Sequence, residues 1–135
     1  MNFKEYFTDE YQYSLKSIAY EAIESEEMFD EIELNCSDEI SGMSVENGIE
    51  LTFLRKVFFN PKSMFELTVT FGIRLFYVDN TKEINIEELL ESLKKEENAY
   101  LSNIISRASL LISVITSSYG QNPVVTPPVF IKWFS

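Results

Sequence analysis

Histidine is missing from this 135-residue chain, and cysteine and tryptophan occur once each. Without imidazole there is no Ser-His-Asp or Cys-His device to activate a nucleophile, and no histidine metal ligand. The single thiol, Cys36, has no intrachain partner, so a reducing compartment is expected. Only four glycines are present, far apart, and they form neither a phosphate loop nor a dinucleotide fingerprint. Basic residues are scarce as well: 11 Lys and Arg stand against 22 Asp and Glu, a net charge of −11. The densest basic pair, Lys94-Lys95, is followed at once by Glu96-Glu97, so nothing here attracts nucleic acid or an anionic membrane. No apolar run approaches the roughly 20 residues that span a bilayer. Met1 to Tyr6 lacks a basic-then-apolar signal pattern. A cytoplasmic protein is expected, without membrane insertion, without a cofactor and without enzymatic activity.

Apolar residues are plentiful. They make up 45% of the chain, and Phe alone occurs 11 times, enough for one domain spanning 1–135 with a core that needs no staples. So many rings either fill a core or line an adhesive surface. The negative charge suits the second case, since self-repulsion keeps molecules with exposed apolar area apart.

The first dozen residues show no firm period and read as an arm or a turn of helix. From Tyr13 to Ala22 the pattern alternates, with Ser14, Lys16, Ile18 and Tyr20 on one face and Tyr13, Leu15, Ser17, Ala19 and Glu21 on the other. Glu24 to Glu31 is an acidic connection. Ile32, Leu34 and Cys36 then mark a short half-buried strand, on which Cys36 is expected to be an inert thiol. Ser37 to Asn47 reads as loop. Gly48 to Phe59 is the clearest strand, with Ile49, Leu51, Phe53, Val57 and Phe59 sharing a face with Arg55. Asn60-Pro61-Lys62-Ser63 is turn chemistry, and Met64 to Val78 returns with Phe65, Leu67, Val69, Phe71 and Ile73 on one face. These two runs should pair as an antiparallel hairpin. Gly72 inside the second suggests a bulge or a close backbone approach. Asp79 to Glu83 reads as a plain turn.

At Asn85 the period changes to that of a helix. Asn85 is a cap, Glu88 stands in capping-box position, and Ile84 and Leu89 form a staple. That helix should cover 85–98. A second, from 99 to about 120, carries Leu101, Ile104, Ile105, Ala108, Leu111, Ile112 and Ile115 at helical spacing. Leu110 and Val114 widen the stripe beyond what one sheet face needs, so the helix is expected to form an interface between copies of the chain. Gly120 stops it. Pro123, Pro127 and Pro128 then force an extended tail over 121–135 that ends in Phe130, Ile131, Trp133 and Phe134.

The acidic residues Glu24, Glu26, Glu27, Asp30 and Glu31 lack the ligand spacing and central glycine of a calcium loop and read as a solvated face. The apolar face of the hairpin has two readings. It is core beneath the helices, or it is a groove in which an unfolded segment buries its own side chains. Because burial yields only about 25 cal/mol per Å2, such a groove must offer many contacts.

Several stretches taken together resemble the SecB-type export chaperones. Tyr13-Ser-Leu-Lys-Ser-Ile-Ala-Tyr-Glu-Ala22 is similar to that family's first strand, Ile49 to Ile73 to its central strands with a Gly-Ile pair at Gly72-Ile73, and Asn103 to Phe130 to its long helix and proline-rich tail. The resemblance implies an α+β fold: a four-stranded antiparallel sheet with one short and one long helix on one side, assembled into dimers or tetramers. It also implies an ATP-independent holdase that binds unfolded preproteins and hands them to the SecA motor. The client strand maps onto Phe65, Leu67 and Val69, and a motor-contacting glutamate onto Glu21. On that mapping, aspartate at Leu67 and Val69 should remove client binding and leave the secondary structure intact. Ser17, Glu66 and Thr68 depart from the family pattern, and its final helix has no counterpart before Ser135. These departures bear on motor docking and leave room for a relative dedicated to one partner, such as an antitoxin.

Overall fold

The computed structural model describes residues 3–24, 27–79, 84–95, 99–118 and 122–131. One helical turn, α1 (Phe3–Tyr6), leads into β1 (Phe7–Ala22). β2 (Glu33–Val45), β3 (Gly48–Asn60) and β4 (Phe65–Tyr77) follow, then α2 (Ile86–Lys95) and α3 (Ala99–Ser117). The four strands form one antiparallel sheet in the order β1-β4-β3-β2. The helices pack on one of its faces, as the resemblance implied.

The β3–β4 hairpin is the centre, and its alternation is the reason. Ile49, Leu51, Phe53, Val57, Phe65, Leu67, Val69, Ile73 and Leu75 all point to one face and are buried. Against them lie Leu101, Ile104, Ile105, Ala108 and Ile112 of α3 and Leu89 and Leu93 of α2. α2 begins where its cap dictates: Asn85 Oδ1 accepts the amides of Glu87 at 2.9 Å and Glu88 at 3.3 Å, worth about 1 kcal/mol. Gly48 is required by proximity, since a Cβ there would stand 1.9 Å from the Leu75 carbonyl oxygen.

Three expectations are corrected. β1 starts at Phe7, inside the stretch read as an arm, because Phe7 pairs with Tyr77 and stacks between Phe3 and Tyr77. A register shift between Phe7 and Tyr11 interrupts the alternation there, which hides the strand from a period-2 reading. The second correction concerns Ser37 to Asn47. This is not a loop: β2 runs on to Val45, paired with β3 residue for residue. As an edge strand it has little apolar character of its own, and its pairing comes from β3. The third is a bulge between Leu15 and Ser17. It moves Leu15 onto the face of Ile18 and Tyr20, opposite to the simple alternation. At Gly72, where a bulge or a close backbone approach was expected, what comes close is the Lys16 side chain, crossing the glycine to reach Glu50 at 2.8 Å. The turn expected over Asp79 to Glu83, the helix stop at Gly120 and the tail residues Trp133 and Phe134 lie outside the described residues, Asp79 excepted.

Candidate functional site

The client strand expected at Phe65, Leu67 and Val69 is inside the molecule: Leu67 and Val69 have no exposed surface and Phe65 almost none. The same face continues one strand outward. On β1, Tyr20 pairs with Leu67, Ile18 with Val69 and Leu15 with Phe71. Those three side chains are 39%, 45% and 51% exposed, and the Tyr20 ring stacks on Phe65 at 5.6 Å. β1 is also an edge of the sheet, so one side of its 16-residue backbone has no strand beside it among the described residues. An apolar row along an open strand edge offers main-chain hydrogen bonds together with side-chain burial.

The seven helix residues expected between copies separate into two groups. Leu101, Ile104, Ile105, Ala108 and Ile112 are buried against the chain's own sheet, while Leu111 and Ile115 are half-buried at its border. The outward apolar residues of α3 are instead Leu110 and Val114, 67% and 53% exposed. Leu110 borders an open groove of about 560 Å3 between α3 and the start of β1, lined also by Tyr11, Tyr13, Asn103, Ser106 and Arg107. The Arg107 guanidinium lies over the Tyr13 ring at 4.8 Å. Burial raises the Tyr13 hydroxyl above its usual pKa, while a hydrogen bond with Asn103 works against that.

Glu21 is exposed on the other face of the sheet, paired across the strands with Glu66. Cys36 is half-buried, and burial pushes its thiol up to about 11, with the nearby Arg55 charge pulling it down. At pH 8 it is therefore almost wholly protonated. Alkylation of the native chain by iodoacetamide should run on the order of 100-fold slower than that of the urea-unfolded chain; equal rates would show an accessible thiolate. Among the described residues no cluster of three or more Asp, Glu or Cys is placed to hold a metal ion.

The most elaborate polar arrangement was hidden in the sequence. Arg55, on the apolar face of β3, forms a bidentate ion pair with Asp38 of β2: Nε to Oδ1 and Nη2 to Oδ2, both 2.7 Å, with neither side chain exposed. Its three remaining N–H groups are shared among four acceptors: Nη1 reaches the Ser109 hydroxyl on α3 (3.0 Å), the Thr126 hydroxyl (2.9 Å) and the Pro127 carbonyl (2.7 Å), and Nη2 the Val129 carbonyl (2.9 Å). One guanidinium thus ties together sheet, helix and tail. A lone arginine within an apolar period was the available signal, but its partners stand 17 to 74 residues away.

Comparison with known proteins adds one kind of likeness. No protein-family model matches the chain, and no curated protein does. Among solved structures, the SecB-like chaperone Rv1957 of Mycobacterium tuberculosis, in complex with a ChAD peptide from the HigA1 antitoxin Rv1956, superposes with a TM-score of 0.66. The match covers 86% of both chains at 8% identity. At that identity the likeness is one of architecture: this chain has a SecB-like fold.

Proposed function

We propose that this protein is an ATP-independent chaperone that holds non-native or disordered polypeptide. The observation that carries the reading is the Leu15, Ile18 and Tyr20 row, exposed beside the core on an open strand edge. A client segment lying along β1 as a fifth strand would bond to its main chain whatever the client's sequence. Alternate apolar side chains of the client would bury against that row. The client surface is thereby moved from Phe65, Leu67 and Val69 to their cross-strand neighbours. The net charge of −11 keeps a loaded complex dispersed. Leu110 and Val114 are the residues we assign to contact between copies in a dimer or tetramer.

A client dedicated to this chaperone is a specific form of the same proposal. Its support is the structural neighbour, which was solved with an antitoxin peptide bound. The export form requires handover to SecA, with Glu21 as the contact. Recovery of one protein after affinity capture favours the dedicated form, and a broad set of preproteins favours export.

The test is the Ile18→Asp/Tyr20→Asp double variant. Ile18 is half in water and Tyr20 gives up its stacking on Phe65, so the double variant should lose no more than about 2 kcal/mol of stability. Suppression of aggregation of a chemically unfolded test protein should fall at least tenfold in effective concentration. Undiminished suppression by a variant with a native circular dichroism spectrum would refute the surface. Light scattering on the same samples separates a second role: a drop to single-chain mass with suppression intact would reassign this edge to contact between copies.

A further inference from the structure

The tail from Thr126 to Ile131 is bound to the rest of the chain in the manner of a peptide ligand. Three alternate carbonyls are recognised: Pro127 and Val129 by Arg55, and Ile131 by the backbone amide of Asp38 at 2.9 Å. The Ile131 amide in turn donates to Asp38 Oδ2 at 2.8 Å. The three carbonyls are read along a segment that bends at Pro128 and Val129, and none of these bonds depends on the segment's side-chain identity. Two side chains add to it. Thr126 presents its hydroxyl to Arg55 and Ser109, and the Phe130 ring meets Phe53 edge-on at 6.4 Å. Val125 and Val129, by contrast, point outward and are largely exposed. The tail therefore leaves much of its own apolar surface unburied while occupying a seat that reads the backbone of a bent segment and one aromatic ring.

We infer that this seat, formed by Arg55, Asp38, Ser109 and Phe53, is a second polypeptide-binding site, and that the tail is its internal occupant. Its external ligand is an uncharged segment that takes up the same bend and carries one aromatic side chain, supplied by another polypeptide. The inference rests on the polypeptide-binding function proposed above and adds to it a self-occluded site. Pro127 and Pro128 limit the conformations the tail explores when released, so reoccupation costs little entropy. Being tethered, the tail competes at an effective concentration in the millimolar range. An incoming segment sees only the fraction of molecules whose seat is open, and its apparent affinity is reduced by that fraction. Weakening the tail should therefore strengthen external binding.

The probe is a fluorescent synthetic peptide of residues 122–131, titrated by anisotropy against the full chain. Phe130→Ala in the protein should tighten peptide binding roughly tenfold relative to wild type, as the open fraction rises. A peptide with alanine at the Phe130 position should bind neither form. Ile131→Pro, which removes the amide that donates to Asp38 together with a half-buried side chain outside the core, should act in the same direction and serves if Phe130→Ala fails to fold. Unchanged affinity in a natively folded Phe130→Ala or Ile131→Pro chain would overturn the inference. Suppression of aggregation by the wild type is measured beside it. Suppression without any gain in peptide binding sinks the seat alone; a gain in peptide binding without suppression by any form supports the seat and sinks the chaperone reading.

Discussion

Replacing Arg55 with methionine should destabilise the chain by about 3–5 kcal/mol, a large share of the 5–15 kcal/mol that holds a domain folded. The cost arises from what is left behind. Asp38 would keep a carboxylate with no exposed surface and no cation beside it, and the Pro127 and Val129 carbonyls would lose their donor. The companion variant Arg55→Met/Asp38→Leu removes both charges. It should recover part of that loss, because a buried ion pair exchanged for apolar residues of similar volume loses its desolvation penalty along with its attraction, while the Pro127 and Val129 carbonyls stay without their donor. Urea unfolding of wild type, both single variants and the double variant gives the coupling energy directly. A cost below about 1 kcal/mol for Arg55→Met would mean that water already reaches the pair. In the double variant hydrogen exchange should show the Ile131 amide unprotected with the sheet amides still slow, because Asp38 Oδ2 is its acceptor.

Aspartate at Leu67 or Val69 should unfold the protein or cost more than 4 kcal/mol, since each would place a carboxylate among apolar side chains with no partner. The expectation that such variants keep their secondary structure is corrected by their burial: any loss of client binding would follow from loss of the fold. The contrast lies one residue away across the sheet. Ile18, the pairing partner of Val69, tolerates aspartate within about 0.5 kcal/mol because its side chain is half in water. Thermal melts of Val69→Asp and Ile18→Asp should differ by well over 10 °C for a chain of this size. Coincident melts would contradict the assignment of core and surface on which the client site rests.

What could be read in advance follows the range of the interactions involved. The β3–β4 hairpin was legible because its strands are buried on one face, so every second residue is apolar, and the turn between them is local chemistry. The start of α2 was legible because its cap acts within three residues. β2 was not: beyond Cys36 its apolar residues, Ile40, Met43 and Val45, are few and follow no period of two, and it is a strand because β3 supplies its hydrogen bonds. On β1, Ile18 and Tyr20 share a face as their alternation indicates, and Leu15 alone joins them against the simple period, for a related reason. A bulge inserts one residue without leaving a mark in composition, and everything on one side of it changes face.

The sequence by itself determined the class of molecule: an acidic chain without histidine, rich in phenylalanine, with a central hairpin, two helices and an extended tail. These are properties of composition and of periods a few residues long, which hold before any distant contact forms. Tertiary structure alone decided which apolar residues stay in contact with water. The sheet order β1-β4-β3-β2 places Phe65, Leu67 and Val69 in the interior and Leu15, Ile18 and Tyr20 at the rim. It also decided that Arg55 belongs with Asp38 and the tail, because a buried guanidinium must find its acceptors wherever the fold brings them, and here they come from β2, α3 and the tail.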